Sequence, residues 1–201
     1  MLKIIASTRL QDGRLTLNGT ELAHGSGEDT EMLRALYVGL GLDYPKFHKM
    51  DRYARLALLT AEPLYRKLHE EGADIANAVG LITVNRSGSA RTDAEHWQPV
   101  SHGESASPAV FVYTLPNTGA GEITIRHGAF GPSICLVSEQ PECDLLLTIA
   151  ADMFAAQDMH HVIVGWSDIF AAPLFAGFAL IGPGAGTPLT STGLQAILTP
   201  H

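Results

Sequence analysis

Cations are scarce in the second half of this chain: residues 101–201 hold one basic side chain, Arg126, against eight acidic ones, whereas residues 1–100 hold 12 and 13. That is far below the quarter or so of charged residues usual in a soluble domain. Such a stretch is either core or surface that another chain covers. Over all 201 residues, 13 Lys and Arg face 21 Asp and Glu, a net charge of −8. No basic footprint exists for a phosphate backbone or an anionic membrane, so neither is an expected partner. Cysteine is nearly absent too. Cys135 and Cys143 are too few for a disulfide framework and lack the paired spacing of a zinc site. The first residues, MLKIIASTRLQDGR, offer one short apolar run and no cleavage site. No run reaches the roughly 18 apolar residues of a membrane span. A reducing cytoplasm is the expected compartment. The nine histidines form no metal-ligand spacing, and Gly182-Pro183-Gly184-Ala185-Gly186 lacks the lysine of a nucleotide loop and reads as a flexible tail. No metal or cofactor is expected.

The pattern that is present alternates strands with helices. Leu2 to Ser7 and Arg14 to Leu22 read as strands joined by an Asp12-Gly13 turn. Thr30 to Leu40 reads as a short helix. From Asp51, a plausible N-cap, to Glu71 apolar residues recur at helical intervals, with Gly72 as the stop and Pro63 predicting a kink or a break. Ala78 to Val84 is a buried-type strand. Asn85 to Gln98 is polar and reads as a surface excursion. Pro116 to Arg126 suits either strand or helix, and Arg126 would pair with Glu122 four residues earlier if it is helical. Ser133 to Ser138 is a strand. Pro141 then stands where a first helical residue belongs, with an apolar run through Phe154, and His161 to Val164 and Phe178 to Ile181 are further strands. The expected class is α/β and layered, one domain over residues 1–201.

One position stands out chemically. A residue between a strand and the head of a buried helix sits where anions, thiolates and oxyanions are favoured. That position holds Gln140. A carboxamide donates and accepts hydrogen bonds, but it has no ionisable proton and cannot carry an acyl group. A glutamine that merely caps the helix would look the same.

Met50-Asp51-Arg52, Ser107-Pro108, the run Pro116-Asn117-Thr118-Gly119-Ala120-Gly121-Glu122-Ile123-Thr124-Ile125-Arg126-His127-Gly128, Gly131-Pro132-Ser133 and Val162-Ile163-Val164-Gly165 occur in this order. Together they resemble the N-terminal half of β-ketoacyl synthases. The resemblance implies a thiolase-like layered fold, of which this chain corresponds to one βαβαβαββ half. It places the acyl-accepting cysteine of that family, counted from Gly131-Pro132-Ser133, at Gln140. Glutamine there marks the chain-length factors, non-condensing partners of ketosynthases in type II polyketide systems. The His-Gly-Thr and Gly-His motifs of the family's second half do not occur in this sequence.

The resemblance therefore implies a pseudo-enzyme that heterodimerises with a full-length β-ketoacyl synthase and meets acyl carrier protein through that partner. An obligate interface of this kind commonly buries roughly 2,000–5,000 Å² or more. Half-length ketosynthase-like subunits occur in aryl polyene systems, the nearest group. The family also sends a side chain across the interface into the mate's acyl pocket. Counting from Ser107-Pro108 puts it near Val110, with Phe111 adjoining, although Val110 could equally be plain core strand.

Two readings from other classes compete. Cys143 lies one helical turn beyond Gln140, near His160 and His161 in sequence, and would be the nucleophile of a free-standing acyltransferase or condensing enzyme. Buried cysteine is more often inert packing. The other reading is a stand-alone thiolase-like binding module.

Overall fold

The computed structural model describes residues 2–156, 158–170 and 174–200. Strand β1 (Lys3–Gln11) turns at Asp12-Gly13 into β2 (Arg14–Leu17), which turns again into β3 (Thr20–His24). The expected single strand from Arg14 to Leu22 is thus two. Asn18 and Gly19 both take positive φ, 51° and 82°, and this Asn-Gly turn divides it. After α1 (Asp29–Gly39) and a 3-10 turn at Pro45–Lys49 comes α2 (Arg52–Glu70). Asp51 caps α2 by accepting the Ala54 N–H at 2.8 Å. Helix α2 runs through Pro63 as one helix, so the proline does not split it. Burial of 13 of its residues against the sheet outweighs the roughly 3 kcal/mol that an interior proline costs.

A single turn, α3 (Ile75–Ala78), leads into β4 (Val79–Asn85). The polar stretch after it is not simple loop: it contains α4 (Ala90–Ser101) and the short α5 (Pro108–Phe111). The ambiguous segment resolves as α6 (Thr118–His127), closed by Gly128 at φ 64° in the left-handed C-cap position. Then follow β5 (Ser133–Val137), α7 (Cys143–Ala156), β6 (His161–Asp168), β7 (Phe175–Gly182), β8 (Thr187–Pro188) and α8 (Ser191–Leu198). Gly182 to Gly186 is therefore no tail. It is the turn from β7 to β8, where Gly186 lies against the Ile4 carbonyl with no room for a Cβ. Helix α8 opens at Thr190, whose side chain accepts the Gly193 N–H at 3.0 Å as an N-cap.

All strands join one mixed sheet in the order β3-β2-β1-β7-β6-β4-β5, with β8 beside β1. Strand β4 is parallel to β5 and β6, while β7 is antiparallel to β6 and β1. Set aside the β2–β3 hairpin, and the order of elements through β7 is the βαβαβαββ of one thiolase-like half. Helices α1, α2 and α6 cover one face around Leu33, Leu56, Tyr65, Leu81 and Phe178. Helices α7 and α8 cover the other around Leu146, Val164, Trp166 and Leu194. Every residue of β7 is buried, and every residue of β6 after His161. These two strands place 8 residues each of the charge-poor half in the middle of the sheet.

The expected Arg126–Glu122 pair does not form. Arg126 Nη2 donates to Glu62 Oε1 on α2 at 2.8 Å, while Glu122 Oε1 accepts the Tyr113 hydroxyl at 3.0 Å and Glu122 Oε2 lies 2.8 Å from Lys46 Nζ. Both carboxylates are buried. Spacing along α6 allowed the pair, but α2 and the 3-10 turn present better-placed partners. Among the described residues, no helix is long and apolar enough to cross a membrane.

Candidate functional site

The parallel strands β4, β5 and β6 end together, and Gln140 lies just beyond that edge. It sits before the helix head rather than on it. The first turn of α7 closes with the Leu146 N–H on the Glu142 carbonyl, so the helix opens two residues later than the expected Pro141. Gln140 is exposed and lines a cavity of about 170 Å³ with Arg86, Trp166, Asp168, Phe175 and Thr199. Across this mouth Arg86 Nε stands 3.6 Å from the buried Asp168 carboxylate, and Asp168 also holds the Phe170 N–H at 2.8 Å. Among the described residues that line it there is no Cys, Ser, His or Lys. With Arg86, Glu139, Gln140, Asp168 and Thr199 in its lining, the mouth can hydrogen-bond and hold charge.

The two cysteines are held as packing. Cys143 is buried in the α7-side core, where burial pushes its thiol up and keeps it protonated at neutral pH. Cys135 is half-buried on β5, its Sγ donating to the Pro116 carbonyl at 3.1 Å. His161, on β6, is half-buried and burial pushes its imidazole down. Among the described residues, no group of three or more His, Cys, Asp or Glu side chains is placed to hold a metal ion.

The second region is the β5 edge. Strand β5 ends the sheet, so its outer N–H and C=O groups face away from any partner strand among the described residues. Its sequence, SICLV, is apolar and half-exposed along its length. Phe130, 84% exposed, precedes the strand, and Val137 closes it. Val137 and Pro116 both lie against Gly88, which brings the α5–α6 connection to the same end. There Phe111 (62% exposed), Val112 and Leu115 stand in water. Val110 is half-buried on α5, so it is neither core strand nor the most prominent side chain; Phe111 beside it protrudes. The sequence carried a signal for this patch in Phe111-Val112 and Phe130, two apolar groups in loop-like surroundings.

No protein-family profile matches the chain. No curated protein matches it either. Solved structures do. A ketosynthase in complex with its chain length factor from Xenorhabdus doucetiae is similar with TM-score 0.63 and 18% identity, over 92% of this chain and 80% of that one. The fold is that of a ketosynthase-type subunit. The ishigamide ketosynthase/chain length factor is similar with TM-score 0.66 and 16% identity, over 93% of this chain and 64% of that one. A type II polyketide synthase acyl carrier protein in complex with its ketosynthase, bound to the hexaketide, gives TM-score 0.61 and 11% identity over 90% and 62%. Against these last two ketosynthase-fold chains, this protein spans under two thirds of their length.

Proposed function

We propose that this protein is a chain-length-factor-like subunit without condensing activity, which heterodimerises with a full-length β-ketoacyl synthase in type II polyketide biosynthesis, of the aryl polyene kind, in the cytoplasm. The observation that carries the reading is Gln140. Counted from Gly131-Pro132-Ser133, it stands where the resemblance to β-ketoacyl synthases implies the acyl-accepting cysteine, and beside it the mouth holds an Arg86–Asp168 ion pair. A carboxamide cannot form the acyl thioester, so the chemistry belongs to the partner.

The β5 edge supports the same reading. An apolar edge strand flanked by Phe111, Val112, Leu115 and Phe130 is a liability unless a partner covers it. A ketosynthase strand laid antiparallel against β5 satisfies its open backbone groups and buries those side chains. Phe111 then reaches toward the partner's acyl pocket and limits the chain that fits, with Val110 behind it. Acyl carrier protein is engaged through the partner.

The test is co-expression with a full-length β-ketoacyl synthase from the same organism. The expected result is a tight 1:1 complex that elongates acyl carriers, and a chain that elongates nothing when purified by itself. Carbon–carbon bond formation by the isolated protein overturns the reading. The competing acyltransferase based on Cys143 has little support in a buried thiol that burial and the neighbouring Asp144 and Glu142 carboxylates keep protonated.

A further inference from the structure

Residues 86–117, which carry α4 and α5, cross the protein surface between β4 and α6. Only two of them are buried, Thr92 and Tyr113. Each is held by its hydroxyl. Thr92 Oγ1 donates to Asp51 Oδ2 at 2.7 Å, and Tyr113 donates to Glu122 Oε1 at 3.0 Å. Both acceptors are immobilised by a second duty: Asp51 Oδ1 caps α2 through the Ala54 N–H at 2.8 Å, and Glu122 Oε2 lies 2.8 Å from Lys46 Nζ. The two carboxylates thus present fixed points on the α2 and α6 layer. The same segment displays Trp97, Phe111, Val112 and Leu115 to water.

A segment that buries so little apolar surface gains little from the hydrophobic effect, so directional bonds decide its pose. The two ends of the segment have their own ties: Arg86 Nε stands 3.6 Å from the Asp168 carboxylate, the Gly88 N–H donates to Asn85 Oδ1, the Leu115 carbonyl accepts the Thr118 hydroxyl at 2.8 Å and the Pro116 carbonyl accepts the Cys135 thiol at 3.1 Å. Between those ends the remaining side-chain ties are weak or internal. Arg52 stands 3.9 Å from Glu95 at the surface, and Ser89 donates to the Thr114 carbonyl within the segment itself at 2.8 Å.

We propose that residues 86–117 form a docking element for the partner ketosynthase, latched in its binding pose by the Thr92–Asp51 and Tyr113–Glu122 bonds. Asp51 and Glu122 are then positioning residues for an interface that they do not touch. This rests on the heterodimer reading above, with which the exposed aromatic groups are continuous along the β5 edge. Releasing a latch spreads the segment over conformers, and the apparent Kd rises by the inverse of the fraction that remains competent.

The experiment pairs two measurements on the full chain: amide hydrogen exchange of the free protein, and Kd for a full-length β-ketoacyl synthase from the same organism. Thr92→Val and Tyr113→Phe keep shape and remove one hydroxyl each. Both are expected to speed exchange across residues 86–117 while β4, β6 and β7 stay protected. Both are expected to raise Kd about tenfold, chiefly through slower association, since a charge-assisted hydrogen bond is lost. Thr92→Ser, which restores the hydroxyl, is expected to restore both. Unchanged exchange in both variants overturns the latches. Faster exchange with unchanged Kd overturns the docking role alone. If the wild-type chain binds no ketosynthase, the heterodimer reading fails and the docking role with it.

Discussion

Arg126 of α6 reaches across to Glu62 of α2 and donates two hydrogen bonds to a carboxylate whose side chain is only 3% exposed. Burial alone would raise that carboxyl, but the guanidinium outweighs it and holds Glu62 well below the usual carboxylate range. The pair fastens α6, and with it the approach to the β5 edge, to the central helix of the domain.

Glu62→Gln is expected to destabilise the protein by about 3 kcal/mol, because it leaves the Arg126 charge uncompensated in a largely buried site. For a domain of this size that lowers Tm by roughly 6–12 °C. Thermal and urea unfolding check it, and a shift under about 2 °C would show that the pair does not fasten the helices.

Burial pushes the His127 imidazole below its ordinary value, against the pull of Glu62 Oε2 at 3.3 Å. The unfolded chain takes up a proton near pH 6.5. Between the two values the unfolded state binds more protons, so this contribution to stability is complete above about pH 6.5 and lost as pH falls below it. His127→Gln is expected to flatten the Tm profile between about pH 5 and pH 7, as followed by thermal melts in a buffer series.

Phe130→Asp and Val137→Lys place a charge on the β5 edge where the free protein exposes apolar surface. Each is expected to leave the Tm of the isolated chain within about 2 °C, since an exposed substitution costs little. Each should nevertheless weaken ketosynthase binding at least tenfold, as burying an unpaired charge at an interface does. Analytical ultracentrifugation of the mixture decides, and an intact 1:1 complex would remove the β5 edge from the interface.

Phe111→Ala is expected to shift the complex's products toward longer chains, and Val110→Trp toward shorter ones, with assembly retained in both. Mass spectrometry of released products reads the distribution. An identical distribution in both variants takes the α5 side chains out of the acyl pocket.

Cys143→Ala deletes a sulfur from the α7-side core and should cost about 1 kcal/mol in stability. Turnover of the complex is expected to stay within about twofold, because a buried thiol takes no part in the reaction. Loss of turnover, with labelling of Cys143 by an acyl-thioester analogue in the native protein, would reinstate the thiol as a nucleophile.

Elements whose signal is local were legible. The Asp51 cap, the apolar period of α2, the Gly72 stop and the buried runs of β4 and β6 each act within a few residues, and each is found where the spacing predicts it. Errors arose where two local signals compete. The Asn18-Gly19 turn was hidden inside a β-rich run, and α4 was hidden by polarity, since a helix that buries only Thr92 has almost no apolar stripe to read. Gln140 was legible as a residue type at an aligned position, but its exposure beside Arg86 and Asp168 was not, because those side chains arrive from two other strands.

The sequence by itself determined the layered α/β class, a glutamine between β5 and the head of α7, and a charge-poor second half. Periodicity, capping and residue chemistry are properties of neighbours along the chain. Only the tertiary structure decided that β6 and β7 lie buried inside the sheet, that Phe111, Val112, Leu115, Phe130 and Val137 are left exposed on and around the β5 edge, and that Arg126 chooses a carboxylate 64 residues away over one four residues away. Burial and pairing depend on which elements meet. That is fixed by how the helices close over the sheet, not by spacing along the chain.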